Sequence, residues 1–435
     1  MKNFRIGVGA GFAGDRFDGA ELLAQQGNLD ALVFECLAER TIGLASLRKH
    51  SGSGPGFDPL LMRRLEGTLP AMLAREGRVL TNAGAADPRA AADLVKSKYA
   101  GAKVAAVLGD DVLEQLNLGS QILGTDRQLS DFAGKIVSAN AYLGADAMVQ
   151  ALQAGADVVI TGRCGDAALF LAPLIAHFDW TATQQIAAGI LVGHLLECST
   201  QVSGGYFADK GKAAVPDIAN LGFPFADVAP DGSFVITKID GTGGLISRET
   251  VLEQLLYEIT DPHRYITPDL TIDISSVALE QIALNKVSVS GASAIESPST
   301  YKVSVGIDDG FGAKGEISYG GESALYRAQL AAEIIRERWS ENHKRGEELT
   351  IEYLGYNATR PWKSASSTPD EVCLRIGAHT FDESAAKTLC QEIEALYLNG
   401  PAGGGGATAR YSKSVGIVST LIDKSEVHPE VVFVA

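Results

Sequence analysis

The sequence predicts an α/β protein in which a large N-terminal domain of alternating βα units on a mainly parallel sheet precedes a smaller α+β domain. Three observations carry this expectation. Short β-branched runs alternate with amphipathic segments to about residue 195, the order that parallel strands joined by crossover helices produce. After the Asp261-Pro262 and Thr267-Pro268 breaks the pattern changes to longer strands and two amphipathic helices. The 435 residues exceed what one ordinary core accommodates, so two domains are expected, 1–275 and 276–435.

In order, RIGVGAG, LDALVFE, RVLTNAG, KVAAVLG, KIVSANAY and DVVITG read as strands. Asp58-Pro59 and Asp87-Pro88 each pair an N-capping carboxylate with a proline at the first helical position, where its missing N–H costs nothing. Six such units fit a barrel or an open sheet alike. The stretch from STQVSGG through NLGFPFADVAPDGS is irregular and completes the first domain. FVITKIDGTGG then leads into the helical pattern SRETVLEQLLYEI, which Ser247 caps. In the second domain ALYRAQLAAEIIRERW and ESAAKTLCQEIEALYL read as helices. PAGGGGA reads as a loop, because repeated glycine loses too much backbone entropy in a regular element.

Composition excludes several classes. Lys and Arg number 37 against 53 for Asp and Glu, a net charge of −16 without a basic run, which argues against nucleic acid as a partner. No run approaches the roughly 18 apolar residues of a membrane span. Cys36, Cys164, Cys198, Cys373 and Cys390 form no Cys-x-x-Cys and suit reduced thiols in a cytoplasm. The glycine-rich start reaches Asp15 before any apolar export-signal core, which fits that location.

Ligands of open parallel sheets and barrels meet the carboxyl ends of the strands. Those ends offer Asp15, Glu35 and Glu39, Asn82, Asp110 and Asp111, Asn140 and Tyr142, and Arg163 with Asp166. Asp110 and Asp111 also suit the cap of a helix over DDVLEQL. Arg163, in the glycine turn of DVVITGRCGDAALF, can clamp a carboxylate or phosphate bidentately, or pair with Asp166. Cys164 beside it has no neighbouring histidine to activate it, so a small inert hydrophobe is the stronger reading. His194 and Glu197, three apart, share one helical face as base and orienter, and Gln201 follows. One histidine and one glutamate are too few for a metal site. Lys238 with Thr242 and Gly243 forms a turn suited either to an anion or to an ordinary bend. Neither this turn nor the opening GVGAG matches a dinucleotide or P-loop fingerprint, so no nucleotide cofactor is expected.

In combination, GFAGDR, TNAGAADPRA, AYLGADAMVQAL, GADVVITGRCGDAALFLAPL, GHLLECSTQVSGGYF, ITKIDGTGG and EQLLYEITDPHRYITPD resemble the AtuA family of acyclic terpene utilisation proteins. The resemblance runs from residue 5 to about 355. It implies a role in the breakdown of acyclic terpenes, a route through acyl-CoA thioesters, without a defined reaction. It carries over Asp15, Asn82, Arg163, Asp166, His194, Glu197, Gln201, Lys238, Thr242 and Gly243 as candidate site positions.

Together these readings lead to an enzyme acting on a small branched carboxylate or acyl-CoA by acid–base chemistry, a hydratase, dehydratase or other lyase. Arg163 and Lys238 would hold the anion, Asp166 or His194 oriented by Glu197 would move the proton, and Asn82 with glycine-turn amides would meet oxyanion charge. Coenzyme A enters only as part of the substrate, and a homo-oligomer or partner subunit is expected. The alternative is a non-catalytic acyl-CoA-binding or scaffold subunit of a catabolic complex. A dehydrogenase ranks third, because the dinucleotide fingerprint is missing.

Overall fold

The structure is a computed structural model that describes residues 2–209, 214–342, 348–359 and 369–435. The chain begins with β1 (Phe4–Ala10), α1 (Asp18–Gln26), β2 (Ala31–Phe34), α2 (Glu39–Ser51), α3 (Leu61–Leu73), β3 (Arg78–Thr81), α4 (Pro88–Lys98) and β4 (Val104–Leu108). It continues with β5 (Ile136–Ala141), α5 (Asp146–Gln153), β6 (Val158–Thr161), α6 (Ala168–Phe178), α7 (Thr183–Leu196), β7 (Pro224–Val228), β8 (Phe234–Lys238) and α8 (Arg248–Leu256). There follow β9 (Tyr265–Ile266), β10 (Thr271–Asp273), β11 (Ala278–Ala283), β12 (Lys286–Ser290), β13 (Ser293–Glu296), β14 (Thr300–Gly320) and α9 (Ala324–Asn342). The last elements are β15 (Leu349–Leu354), β16 (Glu371–Thr380), α10 (Glu383–Asn399), β17 (Gly405–Asp423) and β18 (Glu430–Phe433).

Two compact units result, one of residues 1–306 with 417–435 and one of residues 307–416. Residues 276–306 and the C-terminal segment therefore belong to the first unit, which places the boundary later than the sequence pattern suggests. Backbone pairing is the reason: β12 pairs with β8, and β18 pairs with β4.

The first unit holds an open ten-stranded sheet in the order β11-β12-β8-β7-β1-β2-β3-β6-β4-β18, with free edges, so it is not a barrel. The expectation of a mainly parallel sheet needs correction. The centre, β1, β2, β3, β6 and β4, is parallel, whereas β7, β8, β12 and β11 on one flank and β18 on the other pair antiparallel. Short hairpins make two of these pairs, β7–β8 and β11–β12, since antiparallel neighbours need only a tight turn, while β1–β7, β8–β12 and β4–β18 join distant segments. In the β11–β12 turn Asn285 takes φ 55°, a left-handed conformation asparagine tolerates well. The strand read in KIVSANAY does form, as β5, but pairs with β14 outside this sheet. Apolar faces of α1, α3 and α4, including Leu23, Leu65, Leu69 and Val95, pack with Phe34 and Val79 to form the core.

Asp87 caps α4 as expected, its side chain accepting from Ala90 N, and Ser247 and Thr250 form a capping box on α8. Asp58 accepts from Leu60 N, and α3 begins only at Leu61, so this cap stands slightly earlier than a proline-first helix would place it. No helix forms over DDVLEQL, where Asp110 is buried and accepts from Arg163 N and Asn140 Nδ2 instead of capping.

In the second unit β16 pairs antiparallel with β14 and with β15. Ala328, Ile335 and Trp339 of α9 and Leu389 and Ile393 of α10 bury against Leu374 and Ile376 of β16. This is the α+β arrangement read from the two amphipathic helices.

Gly11, just after β1, permits a close approach that brings the end of α7 to the sheet. A Cβ there would stand 2.7 Å from the Cys198 carbonyl carbon and 2.9 Å from Ser199 N, backbone atoms that cannot rotate away. Gly11→Ala is expected to lower stability by about 1–3 kcal/mol, read as a lower urea midpoint at unchanged slope.

Candidate functional site

At the carboxyl end of β6 the chain turns through Gly162-Arg163-Cys164-Gly165-Asp166 before α6. Gly162 is required there because a Cβ would meet the Asp110 carboxylate at 2.5 Å, and Gly165 because one would meet Pro268 Cγ at 2.6 Å. Gly193 on α7 lies flat against the backbone of Ala167, where a Cβ would stand 2.6 Å from Cα. That contact sets His194 beside the start of α6.

The result is a cavity of about 600 Å³ whose wall includes Asp166, His194 and Glu197 together with Tyr142, Tyr265 and Lys302. The three candidate acid–base residues read from sequence thus face one space. Asp166 opens to it with its side chain 40% exposed, while Arg163 behind is 1% exposed and donates to Asp166 Oδ1. Arg163 also donates to the carbonyls of Leu37 and Cys164, and its guanidinium lies 4.4 Å over the Tyr142 ring. It therefore positions Asp166, and its donors are spent on protein groups instead of a ligand.

His194 is almost fully buried. Its Nε2–H donates to Leu255 O at 3.1 Å, since a carbonyl can only accept, and Nδ1 shares a proton with Glu197 Oε1 at 3.1 Å. Burial pulls the imidazole down, but the Glu197 hydrogen bond and charge outweigh it and raise it. Burial raises Glu197, whose Oε2 has no hydrogen bond among the described residues. Gln201, one turn further on, keeps a buried Nε2 likewise without one. Burial also raises Asp166, against the pull of Arg163.

Behind this wall lies a buried polar chain. Asn82, fully buried, accepts from Cys36 N at 2.7 Å and donates to Glu35 Oε1 at 2.9 Å. Glu35 accepts in turn from Leu37 N, and Leu37 O receives Arg163. Asn82 is thus a brace for Glu35 and does not face the cavity as an oxyanion donor. Burial and the nearby Asp166 charge push the Glu35 carboxyl up to about 8. Asp110, whose Oδ2 accepts from Arg163 N and Asn140 Nδ2, is pushed up to about 6 by burial.

On the other side, Tyr142 donates to Glu39 Oε1 at 2.6 Å and Lys302 pairs with the same oxygen at 3.2 Å. Burial opposes them, yet these bonds hold Glu39 down to about 2. Cys164 is fully buried, and burial raises its thiol far beyond nucleophilic use.

The remaining candidates sit elsewhere. Asp15 shapes the loop after β1 by accepting from Gly11 N and Arg16 N. Lys238 folds back onto Thr242 O at 2.7 Å, which spends the ammonium on its own turn. Gly243 is there because a Cβ would collide with Asp217 O at 2.0 Å. The sequence reading missed Glu258, Arg264 and Tyr265 on the cavity wall. Their signal was the Asp-Pro-His-Arg-Tyr break after α8, which marks a loop returning to the strand ends.

A comparison with family profiles matches residues 4–433 to the family described as acyclic terpene utilisation family protein AtuA. The chain belongs to the AtuA family. None of the curated proteins compared with this AtuA-family chain matches it. Among solved structures it is similar to the de novo designed protein Foldit4, at 12% identity over 24% of this chain and 97% of that one, with a TM-score of 0.18. It is also similar to the de novo designed Ferredog-Diesel, at 23% identity over 24% of this chain and 86% of that one, with a TM-score of 0.16. Neither likeness is close enough to carry an argument. Among the described residues no helix is long and apolar enough to cross a membrane, and no group of three or more His, Cys, Asp or Glu is arranged to hold a metal. The family assignment connects the protein with acyclic terpene utilisation.

Glu35 gives a pH test. A carboxyl raised from 4.5 unfolded to about 8 folded withdraws stability as pH climbs through that window. Glu35→Gln is expected to match the wild type at about pH 4.5 and to melt higher above pH 8, by about 2–4 °C or more, in a melting-temperature series across pH. A constant offset at every pH would show that Glu35 is not buried in this state.

Proposed function

We propose that this AtuA-family protein is an enzyme that moves a proton next to a carbonyl group, as a hydratase, dehydratase or other lyase acting on a small branched acyl compound. The observation that carries this reading is the one cavity into which Asp166 and the His194–Glu197 pair both face. Its volume of about 600 Å³ falls within the roughly 300–1,000 Å³ of small-molecule sites. Acid–base catalysis works best with groups poised near the working pH, and burial raises both Asp166 and Glu197 towards that range.

Asp166 is the first proton carrier, because Arg163 fixes one oxygen while the carboxylate stays open to the cavity. Both ring nitrogens of His194 are engaged, so that pair acts as a unit, its proton shared between His194 Nδ1 and Glu197 Oε1, with Glu197 Oε2 buried and without a hydrogen bond among the described residues.

Charge accounting narrows the substrate. Arg163 is matched by Asp166, His194 by Glu197, Lys302 by Glu39 at 3.2 Å and Arg264 by Glu296 at 3.1 Å. A buried free carboxylate would find no unmatched cation among these groups, and burying an unpaired charge is costly. The cavity favours an uncharged acyl carbonyl, as in a thioester whose anionic coenzyme A portion stays outside it, in preference to the free acid.

The test combines binding with exchange. Melting temperatures are measured against branched acids, their CoA thioesters and CoA alone, and stabilising thioesters are incubated in D₂O with NMR detection at the α-carbon. The expected outcome is stabilisation by thioesters above that by acids or CoA, with α-proton exchange that Asp166→Asn slows about 100-fold or more while binding persists. Binding without exchange in either protein would favour a non-catalytic acyl-binding subunit, and no thioester binding would remove the reading.

A further inference from the structure

A second cavity, of about 280 Å³, opens at the carboxyl ends of β1, β2 and β3, in the region where open α/β sheets receive ligands. Its wall is formed mainly by apolar groups, among them Leu37, Ala45, Leu60, Ala83 and Ala85, and one cation, Arg48, stands on it. The balance of charge differs from the larger cavity. Arg48 donates from Nε to Pro55 O at a long 3.4 Å and makes no ion pair among the described residues. The one acid on the wall, Asp58, accepts from Leu60 N through Oδ1, while its buried Oδ2 makes no hydrogen bond among the described residues, lies 3.9 Å from Arg64 Nε and feels the charges of both Arg64 and, at longer range, Arg48. Ala85 adopts φ 45°, a left-handed conformation that costs a residue with a side chain roughly 1–3 kcal/mol. Its methyl group is part of the wall.

We infer that this cavity is a binding site for a short-chain aliphatic carboxylate, with the chain against the Leu37, Leu60 and alanine wall and the carboxylate on Arg48. Size is in proportion, since an apolar cavity of roughly 150 Å³ takes up benzene. Chemistry is also in proportion: a guanidinium has the planar donor fork that a carboxylate matches, and here no protein carboxylate takes it. Leu37 of this wall is linked to the larger cavity only through its carbonyl, which accepts from Arg163, the partner of Asp166. The assignment does not depend on the proposed reaction in the larger cavity.

Isovalerate is the probe, with its uncharged isostere isovaleramide, titrated calorimetrically into the full-length protein and three variants. Arg48→Gln removes the charge from a partly exposed position on α2, Ala45→Leu fills the cavity while keeping the Arg48 charge, and Asp166→Asn changes a residue that lines the larger cavity and not this one. Saturable isovalerate binding is expected in the wild type and unchanged in Asp166→Asn. Arg48→Gln should weaken it about tenfold or more, Ala45→Leu should abolish it, and isovaleramide should bind no better than isovalerate binds to Arg48→Gln. Melting temperatures of the unliganded variants establish that they are folded. Equal affinity of acid and amide, or of wild type and a folded Arg48→Gln, overturns the inference, as does the absence of binding up to about 10 mM. Loss of binding in Asp166→Asn would place the ligand in the larger cavity and likewise overturn this one, while leaving the acid–base reading standing.

Discussion

The buried guanidinium of Arg163 is the constraint around which this end of the molecule is arranged. A charge with 1% exposure is tolerated only when hydrogen bonds and an opposite charge replace its lost water. Asp166 supplies the charge, the carbonyls of Cys164 and Leu37 supply acceptors, and the Tyr142 ring covers the guanidinium face. Asp166 and Cys164 come from its own turn, Leu37 and Tyr142 from two others, so neutralising one side chain draws together the turns after β2, β5 and β6. Gly162 and Gly165 keep that turn narrow enough for Asp110 and Pro268 to close against it.

The same constraint divides the acidic groups by role. Asp166 shares its guanidinium with protein on one side and meets the cavity on the other, whereas Glu35, one layer deeper, is held by Asn82 and Leu37 and is pushed towards its neutral form. Glu39, bonded to Tyr142 and Lys302, is driven the opposite way, to about 2. Three carboxyl groups, two after β2 and one after β6, thus titrate apart because their surroundings, not their chemistry, differ. The two cavities contrast in the same way. The cations on or behind the larger one each have a carboxylate partner, while Arg48 on the smaller one makes no ion pair among the described residues.

Much of this was legible in the chain. The alternation of strand and helix patterns located the parallel centre, and the spacing of His194 and Glu197 put them on one face before any fold was known. Asp166 was legible as a polar group at a strand end. The roles of Arg163, Lys238 and Asn82 were not, because a donor-rich side chain looks alike whether it awaits a ligand or is spent on a carbonyl. Only the partners distinguish the two, and those partners, Leu37 for Arg163 and Glu35 for Asn82, are distant in sequence. Arg264 and Tyr265 were missed for a related reason: they lie in a loop after α8 and reach the wall through chain return, which no local period records.

By itself, the sequence determined the α/β class, the two-part organisation, the family and the grouping of Asp166, His194 and Glu197 as candidates, since these rest on local periodicity, glycine and proline positions, and residues close together along the chain. Tertiary structure decided where the second unit begins, which strands run antiparallel and which charged groups remain available to a ligand. Those outcomes depend on pairings between distant segments, β18 on β4, β12 on β8 and Arg163 on Leu37. Such contacts form when burial brings unsatisfied backbone and charged groups together, and that meeting is fixed by packing in three dimensions.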